Sequence, residues 1–332
     1  STMWRQLSWI QTDETNPYRN LALEEQLLFA CGPEECILYL WQNQNTVVVG
    51  RNQNCFRECL VSALEGDGGF LARRLSGGGA VYHDLGNLNF TFLARRENYQ
   101  VERQLEVILQ AVKRLGLLAE KTGRNDVTIG GRKFSGNAFY QTGDFCCHHG
   151  TLLVNTDQDK MSRYLNVSPG KLKAKGVASV RSRVVNLEDL LPEGRSTEQI
   201  IADLRECLLQ SFSNVYGLPA ETFDRGRLNE ADLKNGENRF SSRKWKYGET
   251  IPFEREVSRR FPWGEVQIQL AVKSGRVEQA RVYSDAMAPE WAALLKQALE
   301  GKIHQRKALV SAAEELPQSV REDIRGFLEE TI

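Results

Sequence analysis

No apolar run in these 332 residues reaches the roughly 18 that a membrane span requires. The N-terminal stretch has neither an apolar h-region nor an Arg-rich amphipathic pattern. A membrane protein is therefore not expected. Bulk charge is missing too: Lys+Arg 43 balances Asp+Glu 43, so nothing draws the chain to nucleic acid or an anionic surface, and partners must be found by a local site. The seven cysteines, at 31, 36, 55, 59, 146, 147 and 207, have no zinc-like order, because the 55/59 spacing lacks a second pair with histidine. Their odd number argues against a disulfide framework and for reduced thiols, hence a cytoplasmic setting. Internal repeats and low-complexity segments are absent as well. At roughly 150 residues per domain the length gives about two domains, and 41% hydrophobic with 26% charged residues is ordinary for a globular chain.

What the chain has is concentrated between Arg73 and Asn87, Arg-Arg-Leu-Ser-Gly-Gly-Gly-Ala-Val-Tyr-His-Asp-Leu-Gly-Asn. Gly77, Gly78 and Gly79 remove every Cβ from a short loop, so its N–H groups can approach a ligand closely, and Arg73 and Arg74 add guanidinium forks that match phosphate or carboxylate oxygens. A bare glycine triplet reads as a turn. Here Ser76, Tyr82, His83, Asp84 and Asn87 crowd polar groups around it. No Lys-Ser or Lys-Thr follows and no third glycine falls at the dinucleotide offset, so neither a Walker loop nor a Rossmann fingerprint is present.

In chain order, Asn20 is expected to cap a helix running to Ala30, and Cys36–Trp41 with Thr46–Val49 read as a hairpin or close strand pair. The second run ends in Gly50-Arg51-Asn52-Gln53-Asn54, a plausible mouth for a site. Leu105, Ile108, Val112 and Leu115 keep helical spacing ahead of Gly116. Asp126–Ile129, the turn Gly130-Gly131 and Arg132–Ser135 form a β-hairpin pattern. Ser196 and Gln199 make a capping box before a helix that Gly217 stops. Residues 220–248 are polar and charge-dense, and beyond them Val266, Ile268, Leu270 and Val272 alternate before a Ser274-Gly275 turn and a returning strand. Two helical patterns close the chain, from about Pro289 to Leu299 and ending near Leu328. Paired strands with helices not alternating between them predict an α+β fold, divided into 1–247 and 248–332.

Arg73–Asn87, Gly123-Arg124-Asn125-Asp126, Lys133-Phe134-Ser135-Gly136-Asn137-Ala138, His148-His149-Gly150-Thr151 and Lys175–Ser182 resemble, in order, the lipoate-protein ligase A family. The resemblance spans nearly the whole chain. It implies a mixed β-sheet backed by helices, related to biotin protein ligases, with a smaller C-terminal α/β accessory domain. The glycine and arginine pattern of biotin ligases is absent, which favours lipoate. The implied activity is ATP-dependent: lipoate and ATP, with Mg²⁺, give lipoyl-AMP, whose acyl group passes to a lysine ε-amine on an acceptor lipoyl domain. Implied acceptors are E2 subunits of 2-oxoacid dehydrogenases and the glycine-cleavage H protein. By the same resemblance the ATP and adenylate site comprises Arg74, Ser76, Gly77, Gly78, Gly79, Ala80, Val81, Tyr82, His83, Asn87, Asn125, Lys133, Ser135, Gly136, Ala138, His149, Gly150, Thr151, Lys175, Gly176, Val177 and Ser179.

A carboxylate acylates an amine only after activation, and an enzyme forming a mixed anhydride with AMP must spread negative charge and exclude water. Lys133 is the central candidate. A lysine just after a hairpin is usually a surface charge, but the small residues Ser135-Gly136-Asn137-Ala138 beside it leave room for a ligand. Pointing inward, its ammonium can bridge the acyl oxygen and the α-phosphate. Asp126 is the candidate metal contact, since Mg²⁺ takes one or two carboxylates plus phosphate oxygens and waters; a strand-capping role is the alternative. His149 is read as lining the acyl pocket, and His83 lines the site with no assigned proton role. The basic run Lys171–Arg183 could fold over an anhydride, and without an aromatic platform it does not argue for RNA. Three rivals remain open: a thioester acyltransferase using Cys146 or Cys147, a transferase that takes preformed lipoyl-AMP, and a nucleotide sensor without catalysis.

Overall fold

The computed structural model describes residues 4–123, 126–165 and 183–332. Asn125, Lys175, Gly176, Val177 and Ser179 lie outside the described residues. The strands of the large sheet are β1 (Gln6–Gln11), β2 (Glu35–Trp41), β6 (Asn87–Arg95), β7 (Glu120–Thr122), β8 (Asp126–Ile129), β9 (Arg132–Thr142), β10 (Phe145–Leu153) and β11 (Ala220–Thr222). Among the described residues these eight are ordered β11-β1-β2-β6-β10-β9-β8-β7. β1 runs parallel to β2 and β11, and the other pairings are antiparallel. The fold is α+β, as expected.

Both faces of the sheet are covered, which is why all seven residues of β2 are buried. On one face Leu38, Leu40, Phe90 and Phe92 meet the helices Val101–Arg114 and Thr197–Tyr216. Tyr39, Trp41 and Leu93 meet the helix Pro17–Ala30 on the other. That first helix starts four residues earlier than expected. Asn16 is its cap, accepting from Tyr18 N (2.9 Å) and Arg19 N (3.4 Å), and Pro17 occupies the first turn, where a missing N–H costs nothing. Asn20 is buried inside the helix and gives its amide to Glu14 O, Gln42 O and Asn43 Oδ1. The Ser196–Gln199 capping box and the left-handed Gly217 (φ 70°) are both present.

The expected pairing of 36–41 with 46–49 does not occur. β3 (Thr46–Val49) instead centres a second sheet, parallel to β4 (Phe70–Arg73) and antiparallel to β5 (Val81–His83). Four polar residues, Gln42 to Asn45, leave room to change sheets, and all four residues of β3 are buried, so it needs cover on both sides. The Arg73–Asn87 stretch therefore links one edge of the small sheet to the middle of the large one.

The C-terminal strands β12 (Arg255–Phe261), β13 (Gly264–Lys273) and β14 (Arg276–Ser284) form an antiparallel sheet. Ser274 and Gly275, both at positive φ, turn β13 into β14. Val266, Ile268 and Leu270 pack with Trp291, Leu295, Ile324 and Phe327 into a separate core. The segment after β14 lies on the glycine loop, where Ala286 O accepts from Gly78 N (3.0 Å), and the last residue of β14, Ser284, donates its N–H to Asn52 O (2.9 Å).

Candidate functional site

A cavity of about 890 Å³ opens between the large sheet, the glycine loop and the C-terminal strands. Arg74, at the head of the loop, is buried and spends its donors on the chain itself: Nε on Ser76 Oγ (3.0 Å), Nη2 on Gly77 O and Gly79 O (2.7 Å each), Nη1 on Val48 O (3.3 Å). Burial lowers its pKa to about 10, so it stays cationic at neutral pH. It fixes the loop while placing positive charge behind it. Arg73 is a clamp rather than an anion fork, donating to Gly50 O, Arg51 O and Gln53 O on one side and Trp245 O on the other. Gly77 is needed for space, since a Cβ there would lie 2.4 Å from both Ala286 O and Met287 O.

Lys133 reaches the same cavity through an irregularity in its strand. Gly130 (φ 57°) and Gly131 (φ 77°) make the turn between β8 and β9. Val127 then pairs with Ser135 but Thr128 with Lys133, so β9 carries one extra residue, Phe134. Strict alternation would put Lys133 on the face opposite Gly136. The bulge reverses that parity. Lys133 Cε and Nζ lie 3.1 and 3.2 Å from where a Gly136 Cβ would stand, Nζ pairs with Asp126 Oδ1 at 3.3 Å, and Phe134 is buried in the core.

The adjacent histidines of β10 face opposite ways. His148 sits in the core, stacked on Phe139 at 4.8 Å, with Gln104 donating to Nδ1 (2.9 Å) and Nε2 donating to Asn137 Oδ1 (2.8 Å). Burial pushes its pKa down to about 3. His149 faces the cavity. Its Nδ1 donates to Glu24 Oε2 (3.0 Å), and its Nε2 meets Ser76 Oγ at 2.6 Å. Glu24 also accepts from Thr91 Oγ1 (2.6 Å), which in turn accepts from Trp41 Nε1 (2.9 Å). His83 lines the cavity as a neutral ring, its pKa lowered to about 3 by burial, Arg74 and His149. No cysteine is among the described lining residues. Burial raises the thiol pKa of Cys146, and of Cys147 well above its ordinary value.

Of the expected residues, Arg74, Gly78, Gly79, Ala80, Val81, Tyr82, His83, Asp126, Lys133, Gly136, Ala138, His149, Gly150 and Thr151 line this cavity together. Ser76 stands behind it against Arg74 and His149. Gly77 lies under the Ala286–Met287 carbonyls, and Asn87 and Ser135 are fully buried outside the lining. Sequence reasoning missed Glu24, Trp41 and Asn89. Glu24 had a signal, an acidic residue at helical spacing between Leu21 and Leu28. It also missed Arg260, Trp263, Asp285 and Met287, lining contributed by the C-terminal strands and the segment after them.

The lipoyl protein ligase A/B catalytic domain family matches residues 16–212, and the bacterial lipoate protein ligase C-terminus family matches residues 250–327. A lipoate-protein ligase A of Psychrobacter cryohalolentis is 42% identical over 292 residues, 86% of this chain and 85% of its own. The crystal structure of P. falciparum LipL1 in complex with lipoate superposes with a TM-score of 0.82 at 25% identity, covering 98% of this chain and 99% of that one. A lipoate-protein ligase A bound with ATP gives a TM-score of 0.62 at 25% identity over 74% of this chain and 99% of that one. The chain therefore belongs to the lipoate-protein ligase A family, a family of ligases.

Proposed function

We propose that the cavity activates lipoate with ATP and passes the lipoyl group to a protein lysine. The lipoate carboxylate attacks the α-phosphorus, pyrophosphate leaves, and lipoyl-AMP forms. The acceptor ε-amine then attacks the acyl carbon, forming the amide as AMP departs. The observation that carries this reading is the bulge that turns Lys133 onto the cavity face, opposite the Arg74-braced glycine loop. There its ammonium bridges acyl and phosphate oxygens, and a fixed donor of this kind is worth about 2.7–4 kcal/mol at the transition state. The ATP-bound and lipoate-bound relatives support both substrates.

Mg²⁺ fits the donor set. Asp126 offers one partly exposed carboxylate beside Lys133, while the three-ligand cluster found among the described residues, Glu24, Cys147 and His149, is buried and already hydrogen-bonded. A single carboxylate suits an ion that keeps its waters and phosphate oxygens, and Mg²⁺ would offset the charge of the triphosphate. Acceptor lipoyl domains of 2-oxoacid dehydrogenase E2 subunits and of the glycine-cleavage H protein are the partners proposed. The working units are 1–247 for catalysis and 248–332 as the accessory domain. All seven cysteines are unpaired, which suits a reducing cytoplasm. The test is a lipoyl mass increase on an apo-lipoyl domain incubated with lipoate, ATP and Mg²⁺, with pyrophosphate release alongside. Modification from preformed lipoyl-AMP but never from lipoate plus ATP would reduce the chain to a transferase.

A further inference from the structure

His83 is used by nothing in the mechanism above, yet its surroundings are specific. Asn20 anchors them: its amide nitrogen contacts Gln42 O (2.9 Å) and Glu14 O (3.1 Å), and Tyr39 OH donates to its Oδ1 (3.1 Å). That nitrogen has no lone pair and shares its two protons among three oxygens, so the Asn43 atom 2.9 Å away is Oδ1, which leaves Asn43 Nδ2 to donate to His83 Nδ1 (3.1 Å). Asn89 arrives from the other side. Its Nδ2 lies 3.4 Å from His83 Nδ1, next to an Oδ1 that is 2.8 Å from Asn87 Nδ2. Two amide donors thus converge on one ring nitrogen, and a proton there would clash with both. The ring proton must sit on Nε2, which has no partner among the described residues in a ring that lines the cavity. Its charged and ring neighbours include Arg74, His149 and the Trp41 ring, edge-on at 6.1 Å. None supplies an acceptor that would reverse the tautomer.

We infer that the Asn20–Asn43 amide relay, with Asn89, is a tautomer lock: His83 Nε2–H holds an oxygen of the acyl-phosphate ligand, and no Nε2 lone pair faces it. The inference rests on the ligase reading. Its chemical logic lies in the intermediate, since an acyl adenylate is open to any nitrogen lone pair in reach. A bare Nε2 would form a C–N bond to the acyl carbon as the C–O bond to AMP breaks. AMP leaves with the electron pair, and the Nδ1 proton passes to whatever accepts from that nitrogen. Water then cleaves the acylimidazole to lipoate and imidazole, so ATP is consumed without product. The locked ring keeps the hydrogen bond and removes the nucleophile.

The experiment begins with two-bond ¹H–¹⁵N spectra of the wild-type histidine rings, the His83 signals assigned by their loss in His83→Gln. Nε2 protonated and Nδ1 bare is expected; a protonated Nδ1 overturns the lock. His83→Ala should raise the KM for lipoate about tenfold, the loss of one well-placed donor. His83→Gln, whose amide can accept from Asn43 and still donate into the cavity, should recover most of that loss, and equal loss in both variants refutes the donor role. Asn43→Asp replaces the donor to Nδ1 with an acceptor. It should invert the tautomer and raise AMP formed per lipoyl transferred at least threefold. Inversion with unchanged coupling refutes the protective role. Should Asn43→Asp not fold, the wild-type spectrum and the His83 pair still decide the matter. A wild type that releases no lipoate-dependent pyrophosphate sinks the ligase reading, whereas a wrong tautomer in an active ligase sinks the lock alone.

Discussion

Lys133→Ala separates activity from stability, and the structure sets both magnitudes. The side chains of Lys133 and Asp126 are 36% and 44% exposed, and their 3.3 Å pair is screened by solvent. Such pairs contribute at most about 1 kcal/mol, and removing one partner leaves no charge stranded in the core. The melting temperature should therefore move by no more than about 3 °C. The catalytic loss should be far larger, about 2.7–4 kcal/mol for a donor aimed at developing charge, or roughly 10²–10³ in turnover. Lipoate-dependent pyrophosphate release measures the first half-reaction, and the acceptor mass shift from supplied lipoyl-AMP measures the second. Turnover within tenfold of wild type would refute the role. So would a fall in melting temperature large enough to account for the loss by unfolding.

Two glycine substitutions should divide along the same line. A Gly136→Ala methyl meets the flexible end of Lys133 at 3.1–3.2 Å and should cut activity by displacing the ammonium while leaving the melt nearly unchanged; an unaltered rate would contradict the geometry. A Gly150→Ala methyl meets Phe90 Cζ at 2.5 Å and Gly136 O at 2.7 Å, neither free to move, and should cost about 1–3 kcal/mol by chemical denaturation. Cys146→Ala and Cys147→Ala should each keep ATP-dependent lipoylation within about threefold, because burial raises both thiol pKa values and a protonated thiol is a poor nucleophile; loss of activity with the fold retained would revive the thioester rival. His83 and His148 are held neutral down to about pH 3, whereas unfolded histidine binds a proton below about 6.5. The unfolded state thus binds more protons in that window. Stability should fall as pH drops from about 6.5 toward 5, with a slope that approaches about 1.4 kcal/mol per unit for each ring as the unfolded histidine becomes fully protonated. Denaturant unfolding that is flat between pH 7 and 5 would refute it.

The sequence was most legible where chemistry is local. The two-glycine turn at 130–131, the 196–199 capping box and the alternation from 266 to 272 each depend on a few neighbouring residues, and all stand as expected. Strand partners are set by remote burial, so nothing near Thr46–Val49 announced that it would leave β2 for a separate sheet. The first helix shows a local rule applied one turn late: Asn16 with Pro17 is a stronger start than Asn20, whose amide is needed in the interior. At the site, the residue types around 73–87 and 133–138 pointed to anion handling. Their internal division of labour was hidden, because the Arg74 partners are backbone carbonyls and the bulge at Phe134 depends on register with β8. The C-terminal residues held no motif to which chemistry could be assigned: the Ala286 and Met287 carbonyls over Gly77 are main-chain oxygens that any residue would supply, and Met287 Sδ, Arg260 and Trp263 reach the cavity only through the tertiary fold.

On the proposed reading, that division of labour lets so polar a cavity hold a reactive anhydride. The fixed groups are oriented before a ligand arrives. Arg74 is bound to the Gly77 and Gly79 carbonyls, His149 lies between Glu24 and Ser76, and His83 takes two amides at one nitrogen. Groups already satisfied need not reorganise as charge develops, and they offer no stray base to activate water. Lys133 differs in kind: its ammonium sits on a flexible stem, half-exposed, against a single carboxylate at 3.3 Å. Leaving Asp126 for an incoming phosphate costs at most about 1 kcal/mol, less than a charge-assisted hydrogen bond to that phosphate returns. The rigid arginine shapes the loop and, on the proposed reading, the loosely held lysine is the group free to follow the reacting oxygens. Exchanging the two residue types should abolish activity even though the summed charge of the cavity is unchanged.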